Sequence, residues 1–181
     1  MTDDEKKREE AIFRIRKLVN EIAMLSRSDV APQVYFDQFL PRLVEALAAK
    51  GGAVWMLEDS GELKLQSQVN LRESSLANVW LAPDVEDQRR HTRVVHHVIT
   101  SSEGLLVQPN ALLAEYSHAK NPTDFLLVLS PLLHRQQVRG VIEVFQRPGG
   151  QWNTQRGYLK FVGRMSELAG DYFKRNSPTD L

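Results

Sequence analysis

Five histidines, one glutamate inside an apolar strand and a scatter of aromatic residues are the groups in this 181-residue chain with chemistry to offer. His91, His96 and His97 fall on one expected helix, and histidine is both a common metal ligand and a pH-sensitive group. A three-histidine site needs convergent side chains. His96 and His97 are neighbours in sequence, so on a helix they diverge by about 100° and do not share one ion easily. His97 stands three residues after Val94 and one before Val98, at the apolar border, where it can face a pocket. A half-exposed histidine at the core edge is the favoured reading over a ligand or haem contact. Glu143 sits within the apolar run VIEVF. Fully buried, it would need a partner and would have a shifted ionisation. Its expected place is a helix-covered rim, paired with Arg139 two residues away on the same strand face. Trp55, Trp80, Tyr116, Phe125 and Phe145 are candidates to line a flat ligand pocket, although taken singly each reads first as packing between sheet and helix.

What the chain lacks narrows the chemistry further. Cysteine is absent, which removes thiol catalysis, disulfides, cysteine-bound zinc and thioether attachment of a chromophore. Ser130 has no Gly-x-Ser-x-Gly turn around it. Gly149 and Gly150 follow Pro148 without the rest of a phosphate-binding pattern. No matched acid and base, metal spacing or nucleophile set stands out, so the expectation is a protein that is not an enzyme and holds no metal. The residues name no cofactor.

Charge and hydropathy add exclusions. Lys+Arg and Asp+Glu both number 23, and this balance gives no basic footprint for nucleic acid. The basic pieces Lys6–Arg8 and Arg89–Arg93 read as solvated helix faces. The opening MTDDEKKREE is charged where a signal peptide would be apolar. The longest apolar run is broken by Ser130 and Pro131 and is too short to span a bilayer. A cytoplasmic protein without direct membrane insertion is expected.

The elements that must position these groups centre on Phe125–Phe145, FLLVLSPLLHRQQVRGVIEVF. Two apolar runs joined by His134-Arg135-Gln136-Gln137 predict an antiparallel hairpin. The first run is apolar on both faces, so its strand belongs inside a sheet. In the second, Val138, Gly140, Ile142 and Val144 face one way and Arg139, Val141, Glu143 and Phe145 the other. Upstream, Ala11, Ile15, Leu18, Ile22 and Leu25 form a three-four seam on a helix. That seam fits a partner helix and packing on the chain's own sheet equally well. A second helix, about Pro32–Lys50, contains Pro41 and stops at Lys50-Gly51-Gly52.

Strands follow at Ala53–Glu58 and Leu63–Val69, the latter with one wet face that suits a sheet edge. Arg72–Leu81 is a short amphipathic piece. A longer helix spans about Val85–Ser101, and Leu105–Val107 is a short strand. Ala111–Tyr116 offers a helical turn, and Ser117–Thr123 reads as a mobile loop. A last helix, capped by Asn153 or Thr154 and ending near Arg175, carries the seam Tyr158, Phe161, Met165, Leu168 and Tyr172. Apolar residues lie beside both seams, Ile12 and Val19 in the first and Val162 and Ala169 in the last. The excess arc suits a homodimer built on the terminal helices.

The order of these elements and several strings resemble a GAF domain over roughly Gln33 to Arg175. VVHHVITSSEGLLVQPN (Val94–Asn110) is similar to the family's helix, polar turn and short third strand. LLVLSPLLHRQQVRGVIEVF is similar to its central hairpin, and FVGRMSELAGDYFKR resembles its closing helix. The resemblance implies an α/β (α+β) fold: a central antiparallel sheet of five to six strands, helices from both termini on one face, and a pocket under the α–β connections on the other. The division expected is an N-terminal helix over 1–30 with a signalling or dimerising role, a GAF-like domain over 31–176 and a polar tail over 177–181.

The resemblance also implies a non-catalytic sensory or regulatory module within a larger protein, mediating dimerisation or protein interaction. The alternative is a sensor that binds a small molecule in an aromatic-lined pocket and signals through its terminal helices. A pocket filled by the protein's own side chains favours the first. One of several hundred cubic ångströms with a few convergent polar groups favours the second. The family's Asn-Lys-Phe-Asp-Glu signature of cyclic-nucleotide binding is missing. Covalent bilin attachment and cysteine-dependent methionine sulfoxide reduction are excluded by the absence of Cys.

Overall fold

A computed structural model describes residues 2–71, 85–114 and 116–176. The elements run α1 (Asp3–Leu25), α2 (Pro32–Ala46), β1 (Gly51–Leu57), β2 (Leu63–Val69), α3 (Val85–Ser101), β3 (Leu105–Val107), β4 (Leu112–Leu113), β5 (Tyr116–Lys120), β6 (Leu126–His134), β7 (Gln137–Gln146) and α4 (Trp152–Asn176). Five strands form an antiparallel sheet in the order β2-β1-β7-β6-β3, and β4 and β5 pair separately. The wet-faced strand β2 takes an edge, as its alternation predicts.

The central hairpin explains why the sheet must be covered twice. Leu126, Val128, Leu132, Ile142 and Val144 join one core cluster with Ile22, Phe36, Phe39 and Tyr172. Leu127, Leu129, Val141 and Phe145 join a second with Val94, Val95 and Val98 of α3. Helices α1, α2 and α4 therefore cover one face and α3 the other. The β6–β7 turn is Arg135-Gln136, both in the left-handed region at φ 50° and 65°. Two left-handed residues match the twist of paired strands, and here they are held without glycine by the long ladder on either side. Gly140 is required by close approach: a Cβ there would strike the Trp55 carbonyl of β1.

Several expectations need correction. Helix α2 ends at Ala46, and Ala48 takes the left-handed conformation. Gly51 and Gly52 already belong to β1, where a Cβ on Gly51 would meet the Val69 carbonyl at 2.6 Å. Ala111–Tyr116 makes no helical turn; Leu112–Leu113 is strand β4. Ser117–Thr123 is not a structureless loop, since residues 116–120 form β5 and the turn after it is tied to buried Asn121. Asn121 Nδ2 donates to the carbonyls of Val107, Gln108 and Phe125, while its Oδ1 accepts from Thr123. A buried amide satisfied on every side orders a polar turn as firmly as apolar packing would.

Helix α4 begins at Trp152, with the amides of Thr154 and Gln155 bonded to the Gln151 carbonyl, so Asn153 and Thr154 lie inside its first turn. Its buried stripe is rotated from the expected one. Val162 and Ala169 are fully buried beside Met165 and Tyr172, while Tyr158, Phe161 and Leu168 are half-buried. The reason is close contact with β6 at Gly170, where a Cβ would stand 2.5 Å from the Leu133 carbonyl. The piece expected at Arg72–Leu81 lies outside the described residues.

Candidate functional site

The α3 side of the sheet carries a buried polar group that its apolar neighbours cannot satisfy. Glu143 belongs to β7, opposite Ala53 of β1 and Leu129 of β6, and is fully buried. It does not pair with Arg139 at a rim. Instead the Trp55 indole donates to Oε2 at 2.8 Å, and His91 Nε2 lies 2.6 Å from Oε1. Burying a carboxylate is tolerated only where charge-assisted hydrogen bonds replace water, and here two elements supply them. β1 brings Trp55 by strand register. α3 brings His91, which is itself fully buried, on the stripe His91, Val94, Val95, Val98. Its ring and that of Trp55 have centroids 6.0 Å apart.

Above this pair lies a cavity of about 410 Å³ between α3 and the β1–β2 hairpin, lined by Trp55, Leu63, His91, Thr92, Val95 and His96 among others. Glu62 and Gln88 stand at its edge and are exposed. Thr92 Oγ1 donates to the Gln88 carbonyl at 2.8 Å, which leaves its oxygen to the cavity as an acceptor. The arginines of α3 are directed elsewhere. Arg90 pairs with Glu86 and Asp87, and Arg93 donates to the His118 carbonyl.

The structure brings some sequence candidates together and leaves others apart. Trp55 lines the cavity and Glu143 stands behind it. Phe145 is fully buried in the α3-side core, and Phe125 packs half-buried against the same cluster. Tyr116 opens β5, paired with Leu113. His97 is half-buried and is not among the lining residues. Trp80 lies outside the described residues. Sequence reasoning weighed His91 and His96 only as metal ligands and Val95 only as core, and it passed over Thr92. The signal for His91 was available, since it precedes Val94, Val95 and Val98 by three, four and seven residues, the spacing of one buried face.

Among the described residues no group of three or more His, Asp or Glu could hold a metal ion. No described helix is long and apolar enough to cross a membrane.

No family model matches the sequence, and no curated protein does. Solved structures do match. The GAF domain of A. aeolicus nlh2 in an inactive state superimposes with a TM-score of 0.67 at 16% identity, covering 92% of this chain and 99% of that one. A methyl-accepting chemotaxis protein fragment gives 0.63 at 14% identity over 90% and 99%. The free methionine-R-sulfoxide reductase from Neisseria meningitidis gives 0.61 at 10% identity over 90% and 89%. With its five-stranded antiparallel sheet and flanking helices, this chain has the GAF-domain fold.

Proposed function

We propose that the protein is a non-catalytic sensory module that binds a small molecule beneath α3 and reports its presence through α1 and α4. The observation that carries this reading is the Trp55–Glu143–His91 chain. It ties the cavity wall to the central strand at a place where three apolar residues would have been simpler. On β7 the residues alternate between Val141, Glu143 and Phe145 towards α3 and Ile142 and Val144 towards the terminal helices. A shift of β7 or α3 on binding is therefore passed to the helix-side core one residue away. An open cavity of several hundred cubic ångströms favours ligand binding over a purely structural role. The fold shared with a chemotaxis protein supports sensory use. Among the described residues of the site no nucleophile is hydrogen-bonded to a base, and no reaction is assigned.

Native mass spectrometry of the protein as isolated from cells is the test. Wild type should carry a small-molecule adduct that Leu63→Trp, at a half-buried position on the cavity wall, loses. Identical spectra for the two would sink the reading.

A second proposal, compatible with the first, is that the protein is a homodimer. Residues 2–17 are exposed throughout, including Phe13 at 72% and Ile12 at 40%. A helix of this length with uncovered aromatic and branched side chains suits a second copy of the same helix.

A further inference from the structure

We infer that a second copy of the chain docks antiparallel on the outward face of α1, with the two Phe13 rings at the two-fold axis. The inference rests on the dimer proposed above and adds its surface and direction. Phe13 is 72% exposed, and so is Met24, about three helical turns later on the same face. Leu18 and Ile22, buried on the protein's own core, follow Phe13 by five and nine residues. At about 100° per residue they point to the opposite side of the helix. The Phe13 face is therefore not the one that holds α1 on its domain.

The charges around Phe13 select the direction. Glu9 and Glu10 stand four and three residues before it, and Arg16 and Lys17 three and four residues after it. Residues at those spacings neighbour one another on a helix surface. All four are exposed, and among the described residues none of them makes an ion pair within the chain. Arg14, by contrast, is engaged with Glu45 of α2. Two copies laid antiparallel about Phe13 bring Glu9 of each beside Arg16 of the other, and Glu10 beside Lys17. Parallel copies in register bring acid to acid and base to base, which opposes association. The ends of the contact agree. α1 begins in a capping box at Thr2, and its first turn carries Asp3, Asp4 and Glu5. In the antiparallel pair that turn reaches Met24 of the other copy. Just beyond is a depression lined by Arg27, Lys174 and Arg175 together with Asp171. The acidic first turn thus meets a mostly basic surface that includes α4.

The chain has no cysteine, so single introduced thiols report the direction directly. An equimolar mixture of Glu9→Cys and Arg16→Cys full-length chains should form disulfide-linked dimers on mild oxidation. A mixture of Glu9→Cys and Glu10→Cys should not, because those positions lie about 10 Å apart along an antiparallel pair. The reverse pattern shows parallel helices and overturns the inference. No cross-link in either mixture, with a wild type that sediments as a dimer, places the interface elsewhere and overturns it too. A charge swap gives a second readout. Glu9→Lys with Glu10→Lys should weaken the dimer about tenfold at low salt, and adding Arg16→Glu with Lys17→Glu should restore it. A dimer indifferent to both changes overturns the antiparallel arrangement. A wild type that sediments as a monomer removes the dimer reading itself, and this inference with it.

Discussion

The two faces of the sheet are covered by different means. On the side of α1, α2 and α4 the cover is a continuous aromatic and aliphatic mass. Tyr35 stacks on Tyr172 with ring centroids 3.9 Å apart, Phe36 and Phe39 pack edge to face, and the hydroxyls sit at the periphery of the cluster. The Tyr35 hydroxyl meets Ser26 Oγ at 2.8 Å, and Tyr172 donates to the Val30 carbonyl, so each buried phenol is satisfied at its polar tip. Burial holds the Tyr35 hydroxyl well above the usual phenol range. On the α3 side the described cover is α3 with Leu113 and Ala119 of β4 and β5; it leaves an open cavity and buries Glu143 between a tryptophan and a histidine. The first face has the character of a scaffold. The second gives up packing for a polar network and open space, and regions that bind are drawn from such places.

The largest expected effects come from breaking either face at its centre. Phe36→Ala should cost about 3–5 kcal/mol in urea denaturation, the range for emptying a fully buried aromatic site. Glu143→Ala should also be costly, about 2–5 kcal/mol, because removing the shared carboxyl strands two buried polar groups, Trp55 Nε1 and His91 Nε2, at about 1–3 kcal/mol each. The faces differ in how they are rescued. Glu143→Gln keeps an acceptor for the Trp55 indole and should recover a good part of the loss, whereas Phe36→Gln should recover none. Equal behaviour of the two glutamines would mean that Glu143 acts as filler and not as the hub of the network.

A smaller effect tests the scaffold's polar tips. Tyr172→Phe retains the stack on Tyr35 and removes the bond to the Val30 carbonyl, so a loss of about 1 kcal/mol is expected. A loss at the level of a cavity mutation would show that this tie holds the α1–α2 connection as a whole.

Smaller still is the expected cost of charging the exposed half of α1. Ile12→Glu with Ile15→Glu should change monomer stability by about 0.5 kcal/mol or less, since both positions face solvent. Ile22 is unsuitable for this purpose, because it is fully buried on the protein's own core. Sedimentation at micromolar concentration should show a wild-type dimer and a monomeric double variant. A wild type that sediments as a monomer removes the dimer proposal.

The smallest expected effect is a pH dependence confined to the scaffold face. Burial, followed by the charges of Arg135 and Arg139, lowers the His134 pKa below its ordinary 6.5. The unfolded chain thus takes up a proton at a higher pH than the folded one. Stability from this group is complete above about 6.5 and falls as pH drops from there towards the lower folded value. His134→Phe should flatten that slope in melting curves recorded across the range. An unchanged slope assigns it to another group.

Much of this architecture follows from periodicity alone. Phe125–Phe145 reads as a two-faced hairpin because two apolar runs flank a short polar turn and the first is apolar on both faces, and Leu127 and Val128 are both fully buried. The bounds of α3 and β3 were equally readable, since apolar spacing and the Gly104 break are local signals. Local signals did not reveal which stripe of α4 meets the sheet. Val162 and Ala169 looked spare beside a better three-four seam, and the close approach of Gly170 to β6 decided otherwise. Nor could they show that Asn121 orders its turn, because its partners come from residues 107, 108 and 125.

The site divides along the same line. The sequence set Glu143 with Val141 and Phe145 on one face of a strand, at an expected rim beside Arg139. Only tertiary structure decided that the partners are Trp55, 88 residues away in sequence, and His91, 52 residues away. Arg139 lies nearer the hairpin turn, at the register shift between β6 and β7, and is exposed. A buried carboxylate takes the donors that the fold delivers to it, and sequence proximity does not deliver them.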